Sequence, residues 1–359
     1  MKSDFSFDAL VSTLEAKDLG RRDYVVDSKL MNLDDNMETI YVGGSLGREF
    51  NISETMHTAL ATRFKIPSQY YFKCLKADPR LLSNHVQHWM NDSESDHMIR
   101  TMNGTARTIL SPSYRIMDAL PLIKKIAPII EAGEVLSGSM SCGMHGGYVY
   151  INYATNKTEA IALGDEVAHG VSLRTNEIGL GSEQVAPLVY RLVCTNGMIA
   201  LVPSRLNSAY TVHRGPRYSS FGDVVDITFD YDRECANTAH YSDVTEKFRD
   251  MLSDDYQDRA MAPLRRAAKI RVHLPKEEDD RDRFFNRMRR HMSISSEEMV
   301  DVIDVAHRER KDAKRKNLTG WDIINGVTET ANKSESIRRA NFLQRAAWKL
   351  TEDDFAILN

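Results

Sequence analysis

The sequence predicts an α+β protein: a curved antiparallel β-sheet built from hairpins, flanked by helices, with a helical, charged C-terminal region. Three observations predict it. Apolar residues recur at helical spacing behind capping serines in the first third of the chain. From about 135 to 232 the pattern changes to period two. Beyond about 240 the spacing is helical again and rich in charge.

The elements follow in order. Phe7, Leu10, Val11 and Leu14 lie on one face of a first helix, and TIYVGGSLGREF reads as a strand punctuated by Gly-Gly. Ser53 caps a helix with Met56, Leu60 and Phe64 on one side. Pro67 opens a further helical stretch, since proline is tolerated at a first helical position. MIRTMNGTARTIL is a hairpin: Asn103-Gly104 is a two-residue turn, which places Met102 opposite Thr105, Thr101 opposite Ala106 and Arg100 opposite Arg107. Ser111 and Pro112 start a helix that runs through DALPLIKKIAPIIEAG to Gly133. EVLSGSMSCGMH, Gly146-Gly147 and YVYINY form a second hairpin. PLVYRLVCT, Asn196-Gly197 and MIALVP form a third, with Leu192, Cys194, Ile199 and Leu201 on its core face. VVDITFDYD alternates cleanly, with Val225, Ile227, Phe229 and Tyr231 one way and Asp226, Asp230 and Asp232 the other. Ser295 and Glu298 make a capping box before Met299, Val302, Ile303 and Ala306. The chain thus divides into an N-terminal segment (1–50), an α+β core (51–238) and a helical C-terminal region (239–359).

Composition narrows the function classes. The 359 residues are 42% hydrophobic and 27% charged, with a formal net charge of -4, so bulk charge does not announce nucleic acid. Cys74, Cys142, Cys194 and Cys235 lie far apart without a CxxC pair, and no secretory leader precedes them. The expected location is a reducing bacterial cytoplasm. No apolar run approaches about 18 residues, so no membrane contact is expected. GGSLGREF lacks the Gly-Lys-Ser/Thr ending of a phosphate loop and GLGSEQ is not GxGxxG, so ATP-driven chemistry and a bound cofactor are not expected. His85 and His88 share a helix face near Cys74 and His97, but nothing fixes the tetrahedral set that zinc needs. No serine, cysteine or histidine arrangement suggests a nucleophile.

Two candidate sites remain. Asp226, Asp230 and Asp232, about 7 Å apart along one strand face, are hard oxygen ligands of the kind that hold magnesium for phosphodiester cleavage. The same row also serves to repel unwanted edge pairing. The other candidate is basic and aromatic surface, in three zones. Arg100, Arg107 and Arg115 with Tyr114 form the first. Arg205, Tyr210, His213, Arg214, Arg217, Tyr218 and Phe221, among Gly, Pro and Ser, form the second. RAMAPLRRAAKIRVHLPK through HRERKDAKRK forms the third. Guanidiniums bind phosphate bidentately and aromatic faces stack on bases. Arg100 and Arg107 read as a two-pronged anion clamp to which Arg115 adds a third prong. The alternative is that Asp118 or Asp96 bridges them inside the protein.

IPSQYYFKCL, the HVQHWM helix, IRTMNGTARTILSPSYRIMDALPLI and YRLVCTNGM, in that order, resemble the phage- and plasmid-encoded family catalogued as domain of unknown function 932. The resemblance covers roughly residues 50 to 235 and rests on a core of Arg107, Leu110, Ser111, Tyr114, Arg115 and Asp118 together with the Arg-x-Val-Cys-x-Asn-Gly strand pair of Arg191 to Gly197. Pro112 stands where the family often has an acidic residue. It implies a mobile-element setting, most simply a phage. The order of helices and hairpins is also loosely similar to ring-forming single-strand annealing recombinases. The expected function is therefore a non-enzymatic, oligomeric DNA-binding protein acting on single strands in recombination or replication. Arg100, Arg107, Arg115, Arg205, Arg214 and Arg217 would neutralise phosphate beside His213, and Tyr114 and Tyr218 would stack. A magnesium nuclease built on Asp226, Asp230 and Asp232, and a protein that engages a host or phage replication factor through its C-terminal helices, are the alternatives.

Overall fold

A computed structural model of the chain describes residues 5–132, 140–145, 147–192, 198–201, 209–211, 213–334 and 337–352. Arg205, Cys194 and the Asn196-Gly197 turn lie outside them. The α+β class holds, but two sheets replace the single curved one. In chain order the elements are α1 (Phe7–Leu19), β1 (Arg21–Asp27), β2 (Met31–Leu33), β3 (Thr39–Val42), β4 (Arg48–Ile52), α2 (Glu54–Arg63), α3 (Ser68–Ala77), α4 (Pro79–Asp92), β5 (Asp96–Met102), β6 (Thr105–Leu110), α5 (Ala119–Ala132), β7 (Ser141–His145), β8 (Tyr148–Ala162), β9 (Asp165–Asn176), β10 (Glu183–Arg191), β11 (Met198–Leu201), β12 (Ala209–Thr211), β13 (Val224–Asp226), α6 (Tyr231–Asp250), α7 (Asp254–Lys269), α8 (Glu278–Met292), α9 (Ser296–Asp312), α10 (Gly320–Lys333) and α11 (Ile337–Glu352).

Sheet one has the order β13-β1-β5-β6-β4-β3-β2. Every pair is antiparallel except β4 with β6. Residues 21–52 supply four of its seven strands, so the first fifty residues are built into the same sheet as the hairpin that follows. Its alternating residues point two ways. Tyr24, Val26, Ile99 and Ile109 pack under α2, α3 and α4 against Met56, Leu60, Tyr71, Val86 and Met90. The opposite face carries Val25 and Met98, which meet Tyr114, Ile116 and Ile227.

Sheet two runs β11-β10-β9-β8-β7, with β12 pairing β10 beside it. One face is covered by α1, α5 and α6 through Leu10, Leu14, Leu122, Ile126 and Phe248, over Ile151, Val171, Leu173 and Val185. Val167 and Val189 belong to a separate core built mainly by α7–α11. Within that core α10 is buried on every side: Trp321, Ile323, Ile324, Asn325, Gly326, Val327 and Thr328 are all shielded from water. Gly326 is required there, since a Cβ would overlap the Val302 carbonyl oxygen of α9.

Local signals explain most boundaries. Ser6, Ser53 and Ser295 accept from the third following amide and start α1, α2 and α9, the last as a full capping box. Asn103 and Gly104 have φ of 49° and 76°, the paired left-handed residues of a tight hairpin turn. The β7–β8 hairpin pairs His145 with Tyr148, and β10 pairs β11 with Leu188 opposite Leu201.

Three expectations are corrected. The helix after the hairpin begins at Ala119, not at Ser111. Residues 111–114 close a turn through Tyr114 N–H to Ser111 O (2.9 Å), and Tyr114 then bridges to Arg214. The predicted strand 224–232 ends at Asp226. There the Asp226 carboxylate accepts from Thr228 N–H (2.8 Å) and turns the chain, and α6 begins at Tyr231. In the β5–β6 hairpin the register shifts after Arg100. Arg100 faces Thr108, and Arg107 is the extra residue of a bulge.

Gly326→Ala is expected to lower stability by about 1–3 kcal/mol, the usual cost of overpacking a filled core. Chemical denaturation followed by circular dichroism measures it.

A buried arginine seam and an exposed basic turn

The first predicted zone is interior. Arg100 is 1% exposed. Its Nε donates to Asp23 Oδ1 (2.8 Å), Nη2 to Asp118 Oδ1 (2.6 Å) and Nη1 to the Glu177 carbonyl (2.5 Å). Arg21 pairs with the other oxygen of Asp118. Burial alone lowers the Arg100 pKa, and Asp23, Asp118 and Glu177 more than reverse it, so the guanidinium is held charged. Asp118 thus bridges this arginine to its own chain, as the alternative reading foresaw. Arg107 faces the Glu177 carboxylate at 3.5 Å, whose other oxygen accepts the first amide of α5, Ala119 N–H (3.0 Å). Negative charge at a helix N-terminus is favourable. Arg115 donates to Asn237 Oδ1 (2.9 Å) and the Ala236 carbonyl (3.0 Å), fixing α6.

Tyr114 of this zone and His213 of the second are also interior. Tyr114 is buried, its hydroxyl reaches the Asn176 carbonyl (3.3 Å), and His213 lies flat on its ring with centroids 4.8 Å apart and planes 5° from parallel. His213 Nδ1 meets the Arg115 carbonyl at 3.0 Å, and burial lowers the imidazole pKa below its ordinary value. This pair occupies the faces a base would use. Tyr218 packs into the small core with Val25 and Met98. The structure thus engages Arg100, Arg107, Tyr114, Arg115, His213 and Tyr218 in contacts within the protein, in and beneath the 213–223 loop. Arg205 lies outside the described residues.

What the frame holds out is exposed. Arg214 and Arg217 project from the loop, and neither forms an ion pair with a described residue. Four residues beyond Arg217, Phe221 is 89% exposed in a left-handed conformation, φ 53°. Both flanks of the turn are fastened. Ser220 N–H donates to Asp96 Oδ2 (3.1 Å) and its hydroxyl to Asp96 Oδ1. On the far side Asp223 accepts from Ser45 N–H (2.8 Å), a bond that holds its carboxyl below the usual range. A bulky residue in this conformation costs free energy and persists only where its surroundings impose it. The sequence signal for the turn was Ser-Ser-Phe-Gly-Asp, but periodicity gives no means of telling an exposed phenylalanine from a core one.

Beneath the loop, Arg63 at the end of α2 donates through Nε to Nδ1 of buried His97 (2.9 Å), whose Nε2 meets Ser93 Oγ (3.2 Å). Burial first and the Arg63 charge second depress the His97 pKa to about 3, against a smaller opposite effect of Asp96.

Several arginines of the C-terminal region, in the third zone and beyond it, are paired within the protein. Arg265 is held by Glu159 and Asp258, Arg308 by Glu329, Arg315 by Asp165 and Asp322, and Arg339 by Glu298. Asp226 caps a turn, Asp230 precedes α6 and Asp232 stands in its first turn. His85 stacks on Tyr70 while Cys74 is buried. Among the described residues no group of three His, Cys, Asp or Glu is placed to hold a metal ion, and no helix is long and apolar enough to cross a membrane.

A family model described as Domain of unknown function (DUF932) matches residues 108–349. No curated protein and no solved structure matches the chain.

Arg100→Met is expected to destabilise the protein by about 3–5 kcal/mol, because it leaves buried Asp23 and Asp118 without their cation. Arg214→Ala is expected to stay within about 0.5 kcal/mol, as thermal and denaturant unfolding of both variants will test. His97 adds a pH dependence. Its folded pKa lies below the unfolded value of 6.5, so its share of stability is present above pH 6.5 and is lost as pH falls towards about 3. The slope is up to about 1.4 kcal/mol per pH unit. His97→Asn is expected to flatten the stability profile in that window.

Proposed function

Since the chain belongs to the Domain of unknown function (DUF932) family, matched over well over half its length, a description that assigns no activity, we propose from the surface itself that it binds single-stranded nucleic acid on the 213–223 loop. Phe221 carries the reading. An almost fully exposed aromatic ring, on a left-handed turn fastened at both flanks, sits four residues from Arg217 and seven from Arg214. A pre-set ring loses little entropy on stacking, and stacking tolerates any base. The two guanidiniums supply the charge that tracks a phosphate backbone. Phe229, 79% exposed where the chain leaves β13 for α6, extends the aromatic surface.

The narrower setting, strand annealing or protection during phage recombination or replication by an oligomer, rests on the sequence resemblance. DNA is the assumed nucleic acid on the same ground. No arrangement of described residues favours the nuclease alternative.

Fluorescence anisotropy with a labelled single-stranded oligonucleotide across a salt series tests the proposal. Phe221→Ala is expected to weaken binding by about 1–3 kcal/mol. Arg214→Gln is expected to reduce the salt slope by about 0.7. Absence of binding at low salt, or an unchanged affinity in Phe221→Ala, overturns the reading.

A further inference from the structure

The chain makes the same tight turn twice. Asn103 and Gly104, with φ of 49° and 76°, turn the β5–β6 hairpin. Phe221 and Gly222 have φ of 53° and 79°, and the amide of Asp223 closes the turn on the Ser220 carbonyl (3.1 Å). Two left-handed central residues under such a bond mark a type I′ turn, whose first corner favours asparagine, aspartate or glycine. The hairpin has asparagine there. The 213–223 loop has phenylalanine, a costlier residue in this conformation. Packing does not offset the cost, since the ring is almost fully exposed.

Ser220 holds the corner in place. It is buried, and every polar group it has is engaged. Its N–H and its hydroxyl donate to the two oxygens of Asp96, and its hydroxyl oxygen accepts from Gly222 N–H (3.2 Å). Asp96 is the first residue of β5, so the carboxylate that fixes the corner comes from sheet one and not from the loop. Asp27, its partner across β1, turns its own carboxylate to Lys29 N–H (2.9 Å). On the far side Asp223 reaches the turn between β3 and β4. Gly44 leaves room for it there, because a Cβ would lie 2.1 Å from Asp223 Oδ1. Two separate parts of sheet one thus impose a conformation that the residue at the corner disfavours. Such strain points to a use for that residue where it stands.

We propose that Asp96 is a positioning residue: acting through Ser220, it holds Phe221 at the strained corner, so that the ring is presented to an unpaired base before the strand arrives. The inference rests on the nucleic-acid binding proposed above. Order already imposed on the free protein is not lost again on binding, and affinity gains by that amount. The sign of the effect is diagnostic. Removing a carboxylate beside a phosphate backbone strengthens binding by charge alone, whereas removing a positioning residue weakens it.

Oligonucleotide anisotropy and chemical denaturation of the full-length protein test it. Phe221→Asn is expected to favour the native state by about threefold to tenfold, as the strain is relieved. The same variant is expected to bind a single-stranded oligonucleotide at least about tenfold more weakly. A less stable Phe221→Asn overturns the strained corner. Asp96→Ala and Ser220→Ala are each expected to weaken binding by about tenfold, and Asp96→Asn, whose amide oxygen keeps one acceptor, by less. Introduced into Phe221→Ala, Asp96→Ala is expected to cause no further loss, because the ring it positions is gone. Unchanged or tighter binding by Asp96→Ala, or an equal loss with and without Phe221, overturns the positioning role. Circular dichroism verifies folding, and Asp96→Asn with Ser220→Ala decides the matter should Asp96→Ala unfold. Absence of binding by the wild type overturns the nucleic-acid reading and the positioning role with it. Wild-type binding that depends on Phe221 but not on Asp96 overturns the positioning role alone.

Discussion

The contact on which the architecture turns is the buried guanidinium of Arg100. It sits on β5 and holds Asp23 of β1, Asp118 at the entry to α5 and the Glu177 carbonyl just past β9. One side chain therefore joins the two sheets and the helix that starts between them. Burying three charged groups together is expensive unless their hydrogen bonds are satisfied. Here two bonds go to carboxylates and one to a carbonyl, and Arg21 shares the load on Asp118. The 213–223 loop is laid on this seam by the Tyr114–His213 stack and by Gly215 N–H to the Ser113 carbonyl (3.0 Å).

Where structure is set by neighbours in sequence, the sequence was a good guide. Capping serines marked the starts of α2 and α9, and Asn103-Gly104 marked a hairpin whose first two pairs, Met102 with Thr105 and Thr101 with Ala106, stand as expected. The third pair failed because a bulge at Arg107 lets that residue turn to Glu177 while Arg100 keeps the interior. A bulge leaves no mark on alternation, and the acids that claim these arginines come from distant parts of the chain. VVDITFDYD failed for a related reason. Alternation shows that a segment is able to be a strand, but strand register with β1 is kept only over Val224–Asp226, before the Asp226 turn leads into α6. The candidate site was legible as a loop and not as a set of contacts. Composition placed arginine and aromatic residues together at 205–221 without dividing those that build the loop from those it presents.

The C-terminal region follows another logic. Asp165, at the start of β9, accepts from Arg191, Arg315 and the Trp321 indole (3.0 Å), which ties the helical core to sheet two. Of the basic runs, Arg315 is thereby committed to the fold. The family match begins at residue 108, within β6, and runs to 349. It takes in Asp118 and Glu177 but leaves out Asp23 and Arg100, their counterparts across the seam. The matched stretch is a unit of descent, and the physical unit is larger.

The strand order of sheet one also has a consequence for how the chain is made. β1 emerges early in synthesis, yet its two neighbours are β5 and β13, and the second follows all of sheet two. Until residue 226 has been made, one side of β1 offers unpaired amides and carbonyls, the condition that invites association with other chains. Long-range pairing of this kind is slow to form. The last strand to join, only three residues long, completes the platform of the basic turn and closes that open edge in the same step.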